Sequence, residues 1–308
     1  MVKASKKGGI LFAVGKLLLF LAFCFYLVHQ TGKMDWDFSF LEEFNPFYFF
    51  ISFLLVIPNW YCEWMKWKLT LRVANVRTSP FETANSFMAG IISGMLTPNM
   101  IGNFVGRLMY YSKRSRISIT VLTLLTNYGQ FLASMIAGFV SLLFLGRSPF
   151  GVAPQQLVLF GGLALMFLFV GYFYFDFFFK VAFPRKMRLF YRLRDLRERV
   201  GYKWTIIAIS IVRLLIFTLQ MVLILGAFGV AMNQELFFWI WQYYFWVTLT
   251  PSLLLGKVII RDSVAVWVLT SIMIPGPAIL FSSFSIWVIN LVLPTLVSIV
   301  FIKRKSIS

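Results

Sequence analysis

Arg107 and Arg261 are permanent cations set in otherwise apolar sequence, and each closes the same short pattern. The first copy reads Leu96-Thr97-Pro98, three residues, Gly102, four residues, Arg107. The second reads Leu249-Thr250-Pro251, four residues, Gly256, four residues, Arg261. A guanidinium offers a planar fork of donors suited to bidentate phosphate binding. A Thr-Pro break frees backbone groups that protein, water or ligand must satisfy. A half-helix restarting after Pro98 or Pro251 turns its positive end toward the break. The chemistry expected is therefore capture of an anion. Thr97, Pro98, Asn99, Gly102 and Arg107 form one half-site, and Thr250, Pro251, Gly256, Lys257 and Arg261 the other. The two prolines lie about half of the 308-residue chain apart, and paired interruptions in two halves point to a transport site at a repeat interface.

A purely structural use of the same residues stands beside this one. Arg107 can pair with Glu63 and Arg261 with the neighbouring Asp262, locking the fold, and Arg107 is close enough to Lys113 to snorkel to the interface. Arg213 lies inside a span near Gln220, where binding and helix pairing are equally served. Lys16 can snorkel, Asp176 can pair with Lys180, and Lys257 can join the anion site or reach the interface. His29 is the single histidine, which leaves no zinc site or Ser-His-Asp triad. No Gly-x4-Gly-Lys-Ser/Thr loop is present, and Cys24 and Cys62 lack Cys-x-x-Cys spacing. Neither catalytic residue, metal nor cofactor is expected.

The elements that must hold these residues are membrane spans. Hydrophobic residues make up 60% of the chain, charged residues 13%, and mean hydropathy is +0.82. No soluble domain buries that much apolar surface, so the chain reads as an all-α polytopic membrane protein. The net charge of +18 sits in short segments between apolar runs. That is the positive-inside distribution, with attraction to anionic lipid, and not a nucleic-acid surface. The basic start at Met1–Lys7 leads into a retained first span, Ile10–His29, and an acidic stretch with Asp35, Asp37, Glu42 and Glu43 suits the outer face. A second span from Phe47 ends in Trp60, Trp64 and Trp67, read as an interfacial belt, with Lys66, Lys68, Arg72 and Arg77 placing that end in the cytoplasm.

Phe81–Leu96 and Asn99–Tyr111 are each too short to span, and cations bracket the pair, so this region reads as re-entrant from the cytoplasm. Gly90 and Gly94, then Gly102 and Gly106, give small faces for close packing. Spans follow at Ile117–Leu145 and Leu157–Phe179, then a basic loop over 180–203 and a span at Trp204–Phe228. Leu236–Ile274 holds the second interruption and reads as re-entrant from outside, with two full spans as the open alternative. A last span, Ala278–Ile302, returns to the cytoplasm. The count is six full spans and two re-entrant half-helix hairpins in one domain over 1–308. Halves near 10–145 and 157–302 are related as an inverted repeat.

Asn59-Trp60-x2-Glu63-x2-Lys66-Trp67, followed by Leu96-Thr97-Pro98-Asn99-x2-Gly102-x3-Gly106-Arg107, resembles the lysylphosphatidylglycerol synthase transmembrane region, or flippase-like domain, family. The likeness continues through Gln130, Arg213 with Phe217 and Gln220, and Pro251-x4-Gly256-x4-Arg261-x-Ser263. It implies an integral inner-membrane protein of the kind that moves a lipid between leaflets, as a stand-alone member whose sequence shows no synthase domain. Aminoacyl transfer is not carried over. The family tends to place Glu after the glycine of each copy, whereas this chain has Asn103 and Lys257. The pair thus reads as an anion cradle more than a proton relay.

The expectation is a lipid translocase in a bacterial inner membrane, both termini cytoplasmic, binding a phospholipid or isoprenoid-phosphate headgroup at a cationic midplane site. Glu63, Gln130, Gln220 and Asp262 serve as pairing residues. A lipid-phosphate transferase subunit and a scaffold for lipid or glycolipid synthesis are the alternatives. Protein partners would be further copies of the chain or lipid-synthesis enzymes.

Overall fold

In hydrocarbon a backbone must satisfy itself, which leaves helices or a closed barrel, and every regular element among the described residues is helical. The computed structural model describes residues 6–34, 36, 38–97, 102–146, 154–175, 177, 200–250 and 256–302. In chain order these give α1 (Lys6–Lys33), a 3-10 turn at Ser39–Leu41, α2 (Pro46–Leu54), α3 (Val56–Val73), α4 (Pro80–Met95), α5 (Gly102–Leu108), α6 (Lys113–Leu145) and α7 (Pro154–Phe173). The described chain resumes with α8 (Val200–Ala227), α9 (Gln234–Leu249), α10 (Gly256–Leu269) with a 3-10 extension at Thr270–Ile272, α11 (Gly276–Trp287), a π turn at Val288–Val292 and α12 (Leu293–Phe301).

Among the described residues, three helical stretches are long and apolar enough to cross a bilayer: Ser115–Leu145, Val200–Ala227 and the continuous run Gly276–Phe301. Val158–Phe173 is a shorter apolar helix. Large apolar side chains such as Leu18 and Phe25 on α1, Phe160 and Phe167 on α7, and Ile299 and Val300 on α12 point outward. A soluble surface does not carry so extended an apolar face, and the chain is a membrane protein.

Local chemistry sets the ends of the helices. Asn45 caps α2 by accepting from the Phe47 amide. Ser79 caps α4 by accepting from the Glu82 amide, with Pro80 in the first turn, a capping-box arrangement. The second span expected from Phe47 is not one straight helix. Pro58 has no N–H to offer Leu54, and the chain breaks at Leu55 into α2 and α3. The last span is interrupted for a related reason. Pro294 offers no N–H to Asn290, and Leu293 N–H bonds Val288 O one residue further back, which makes the π turn.

The short elements behave differently. At about 1.5 Å per residue, α4 spans roughly 24 Å and α5 roughly 10 Å, against about 30 Å of hydrocarbon. They pack antiparallel: Ser93 Oγ donates to Gly102 O at 2.6 Å, and Ser86 Oγ lies 2.7 Å from Tyr111 Oη. Gly102 and Gly106 lie so near the backbone of Ser93 and Ala89 that a β-carbon at either would collide. α9 and α10 form the second pair of short helices.

The bundle is assembled around α8, which packs on α2, α3, α6, α9 and α11. Its C-terminal half shares a core with α9, α10 and α11, including Ile224, Trp239, Ile240, Val264 and Ile279. Its N-terminal half joins α6 and α7 through Leu125, Leu132, Tyr172 and Ile206. A third cluster, Trp67, Leu71, Phe87, Tyr111 and Ile119, seats the α4–α5 hairpin on α3 and α6.

Candidate functional site

Among the described residues, ion pairs converge on the Glu63 carboxylate of α3. Lys66 Nζ lies 2.9 Å from its Oε2, Arg213 Nη1 of α8 lies 2.9 Å from the same oxygen, and Arg107 Nη2 of α5 lies 3.4 Å from Oε1. Three helices thus bring three cations to one anion, an excess of two positive charges. Lys66 and Arg107 are sealed, with side chains 3% and 5% exposed, while Glu63 and Arg213 are 21% and 24% exposed. Glu63 and Arg213 are thus the partly exposed members of the cluster, while the Glu63 Oε2 that Lys66 and Arg213 share is itself buried.

Neutral side chains extend it. Lys66 Nζ also donates to Gln130 Oε1 of α6 at 3.0 Å. Arg213 Nε donates to Asn59 Oδ1 at 2.8 Å, and Asn59 Nδ2 donates to Asn290 Oδ1 at 2.5 Å. Asn290 Nδ2 donates to Gln220 Oε1 at 3.1 Å, and Gln220 closes on the α2 backbone at Ser52 O, 3.0 Å. This line runs from α5 through α3 and α8 to the last helix. Both asparagines stand beside a proline-broken turn, Asn59 after Pro58 and Asn290 four residues before Pro294.

Arg107 is held from its faces as well as its edge. Its guanidinium carbon lies 4.7 Å from the Trp67 ring centre and 5.1 Å from that of Phe87, cation–π contacts in a dry setting. Trp67 is fixed by donating from Nε1 to Ser86 Oγ at 3.1 Å. The Arg107 stem lies across Gly90, where a β-carbon would come within 2.5 Å of Cγ and 2.6 Å of Nε. Its Nε is buried without a hydrogen-bond partner.

Arg261, on α10, sits in a separate setting. Its Nε donates to Tyr243 Oη of α9 at 3.3 Å, and its Nη2 is buried without a hydrogen-bond partner. An aromatic bridge connects it toward the Glu63 cluster. The Tyr243 and Tyr244 rings lie 4.8 Å apart and tilted by 47°, Tyr244 Oη donates to Phe217 O at 3.0 Å, and Arg213 lies 5.3 Å over the Phe217 ring.

The structure therefore joins Arg107 to Arg213 through Glu63, and places Arg261 at the far end of an aromatic wall. Arg261 does not pair with Asp262, whose carboxylate accepts from Ser283 Oγ at 2.6 Å. Adjacent helix positions point about 100° apart, so neighbours in sequence do not face each other. Thr97 acts as a cap, since its Oγ1 accepts from the Gly102 amide at 2.6 Å and donates to Ser93 O at 3.0 Å. Thr250 Oγ1 donates back to Trp246 O at 2.9 Å. Gly256 opens α10, with Lys257 beside it on the backbone. Pro98, Asn99, Pro251, Asp176, most of the 180–203 loop and the side chains of Lys16 and Lys257 lie outside the described residues.

Two further sequence expectations need correction. Trp67 is not an interfacial residue, being 2% exposed beneath Arg107. Lys66 is not a cytoplasmic surface cation but a member of the buried cluster. Trp67 precedes a basic run, which hides its role. Asn290 was missed outright, and a lone amide in an apolar span four residues before a proline was the signal.

The sequence model of the family described as lysylphosphatidylglycerol synthase TM region matches residues 10–298. No curated protein matches the chain.

Proposed function

The chain belongs to the lysylphosphatidylglycerol synthase TM region family, and from that premise we propose that it is a lipid translocase. It receives the anionic headgroup of a membrane lipid at the partly exposed Arg213 side of the Glu63 cluster and exposes it alternately to the two leaflets. The observation that carries this is the charge imbalance: Lys66, Arg107 and Arg213 surround a single carboxylate. A cation in the bilayer interior costs roughly 2.5–3.5 kcal/mol on insertion scales. A bundle needing only rigidity would be served by one pair per charge. Two surplus cations with one partly exposed side suit a phosphate, which supplies the missing negative charge only while bound.

The fold-locking use of Arg107 is part of this arrangement, since Glu63 holds Arg107 in place while Arg213 offers its accessible face. Arg261 forms the second station beyond the aromatic bridge of Phe217, Tyr244 and Tyr243. The reading includes a bacterial inner-membrane location with both termini cytoplasmic. In it, α4–α5 and α9–α10 are re-entrant hairpins of an inverted repeat. No covalent step is assigned. The lipid is an anionic phospholipid or an isoprenoid phosphate.

The test is leaflet transfer in reconstituted vesicles. Fluorescent phosphatidylglycerol and phosphatidylcholine are compared for wild type, Arg213→Gln and Arg261→Gln. The expected result is faster phosphatidylglycerol transfer by wild type and loss of that preference in Arg213→Gln, with folding intact. Equal rates in all three proteins would remove the site assignment.

A further inference from the structure

We infer that the apolar groove beside the Glu63 cluster is an acyl-chain site, which holds one hydrocarbon tail of the lipid whose headgroup the cluster binds. The inference rests on the headgroup reading above. The groove is a cavity of ≈ 400 Å³ between α3, α4 and α12, walled by Ile57, Trp60, Trp64, Phe87, Leu293 and Val297. Its walls are almost entirely apolar and aromatic, so they offer a polar ligand nothing to bond. Ile57 and Tyr61 on its rim are exposed, which leaves the groove open sideways to surrounding lipid.

Three observations join this groove to the cationic cluster. Phe87 belongs to both: its ring lies 5.1 Å from the Arg107 guanidinium carbon and 5.4 Å, edge to face, from Trp64. On α3, Glu63 follows Trp60 by three residues and Val56 by seven, so the carboxylate borders the same side of the helix as these groove residues. The opposite wall repeats the arrangement. Asn290 precedes Leu293 by three residues and Val297 by seven, and its hydrogen bond with Asn59 ties the two walls together. The groove therefore runs alongside the polar line and not on a remote face.

The occupant follows from that juxtaposition. Flat rings of Trp60, Trp64 and Phe87 suit a flexible unbranched chain, and the surplus positive charge along the edge requires an anionic amphiphile. A lipid tail held here would keep the molecule attached while its headgroup moves, so the tail need not leave the bilayer.

The experiment places the protein in phosphatidylcholine vesicles. These carry either phosphatidylglycerol or phosphatidylcholine with a photoactivatable diazirine in one acyl chain, and cross-linked peptides are mapped by mass. The expected result is labelling of the α3 and α12 groove segments at least five-fold greater from phosphatidylglycerol than from phosphatidylcholine. Groove-filling Val297→Trp, and independently Ile57→Trp, should remove that labelling. Leu163→Trp, on the exposed face of α7, should leave it unchanged. Equal labelling by the two lipids would make the groove an ordinary boundary-lipid contact and overturn the inference, as would labelling untouched by both groove variants. Leaflet transfer measured in the same vesicles separates this from the function. Unselective labelling with headgroup-selective transfer sinks the groove alone, whereas selective labelling without transfer sinks the translocase reading alone.

Discussion

Glu63→Gln is the sharpest structural perturbation available, because one carboxylate restrains three cations. Two of its contacts are 2.9 Å and the third 3.4 Å. A neutral amide retains one acceptor oxygen and loses the charge, so Lys66, Arg107 and Arg213 are left repelling one another. Breaking a buried ion pair from one side costs about 3–5 kcal/mol, and with three partners sharing the anion the upper end applies. Arg213→Gln should cost less. It removes a charged hydrogen bond worth roughly 1.5–3 kcal/mol, discounted because Arg213 is a quarter exposed, and it relieves part of the repulsion. The double variant should then lose about 1–2 kcal/mol less than the sum of the two singles, within the range for residues of one network. The assay is reversible unfolding in mixed micelles, with helical signal followed against denaturing detergent. A Glu63→Gln protein within about 0.5 kcal/mol of wild type, or strict additivity in the double variant, would refute the claim that this carboxylate is the electrostatic centre of the bundle.

Three further outcomes follow from particular contacts. Gly90→Ala puts a β-carbon 2.5 Å from Arg107 Cγ, which should displace the side chain and cost about 1–3 kcal/mol as overpacking; phosphatidylglycerol transfer should fall with it, and unchanged transfer would contradict the placement of Arg107. Pro294→Ala restores the N–H that Asn290 O lacks, so the π turn should relax to α-helix, turning Asn290 away from Asn59 and Gln220. Transfer should drop without loss of thermal stability, whereas a fully active variant would show the π turn to be incidental. Tyr243→Phe removes the hydroxyl that accepts from Arg261 Nε, and the unpartnered donor should cost about 1–3 kcal/mol by the same unfolding assay.

The sequence was readable where a polar residue stood out against apolar neighbours. Glu63, Gln130, Arg107, Arg213 and Gln220 announced themselves this way, and the structure joins them in one network. Their partners were legible only in part. Glu63 and Arg107 are 44 residues apart, and register between two helices is set by packing that no single span reveals. Lys66 and Trp67 misled because a buried cation and a buried indole at the end of a span look like a snorkelling lysine and an interfacial tryptophan. Arg261 and Asp262 misled for a geometric reason, since consecutive helical residues diverge. The breaks at Leu55 and at Val288–Val292 could have been foreseen from Pro58 and Pro294, each of which removes one rung of the helical ladder.

The central claim is that the surplus charge around Glu63 receives a lipid headgroup, and initial-rate transfer with Arg213 as the variable tests it most directly. In vesicles holding equal labelled phosphatidylglycerol and phosphatidylcholine, wild type should favour phosphatidylglycerol. Losing a charged contact of about 1.5–3 kcal/mol should reduce that preference by roughly 10- to 150-fold in Arg213→Gln. Arg213→Lys should retain part of it by keeping the charge without the fork. An Arg213→Gln protein that folds as wild type does and transfers phosphatidylglycerol with undiminished preference would contradict the account.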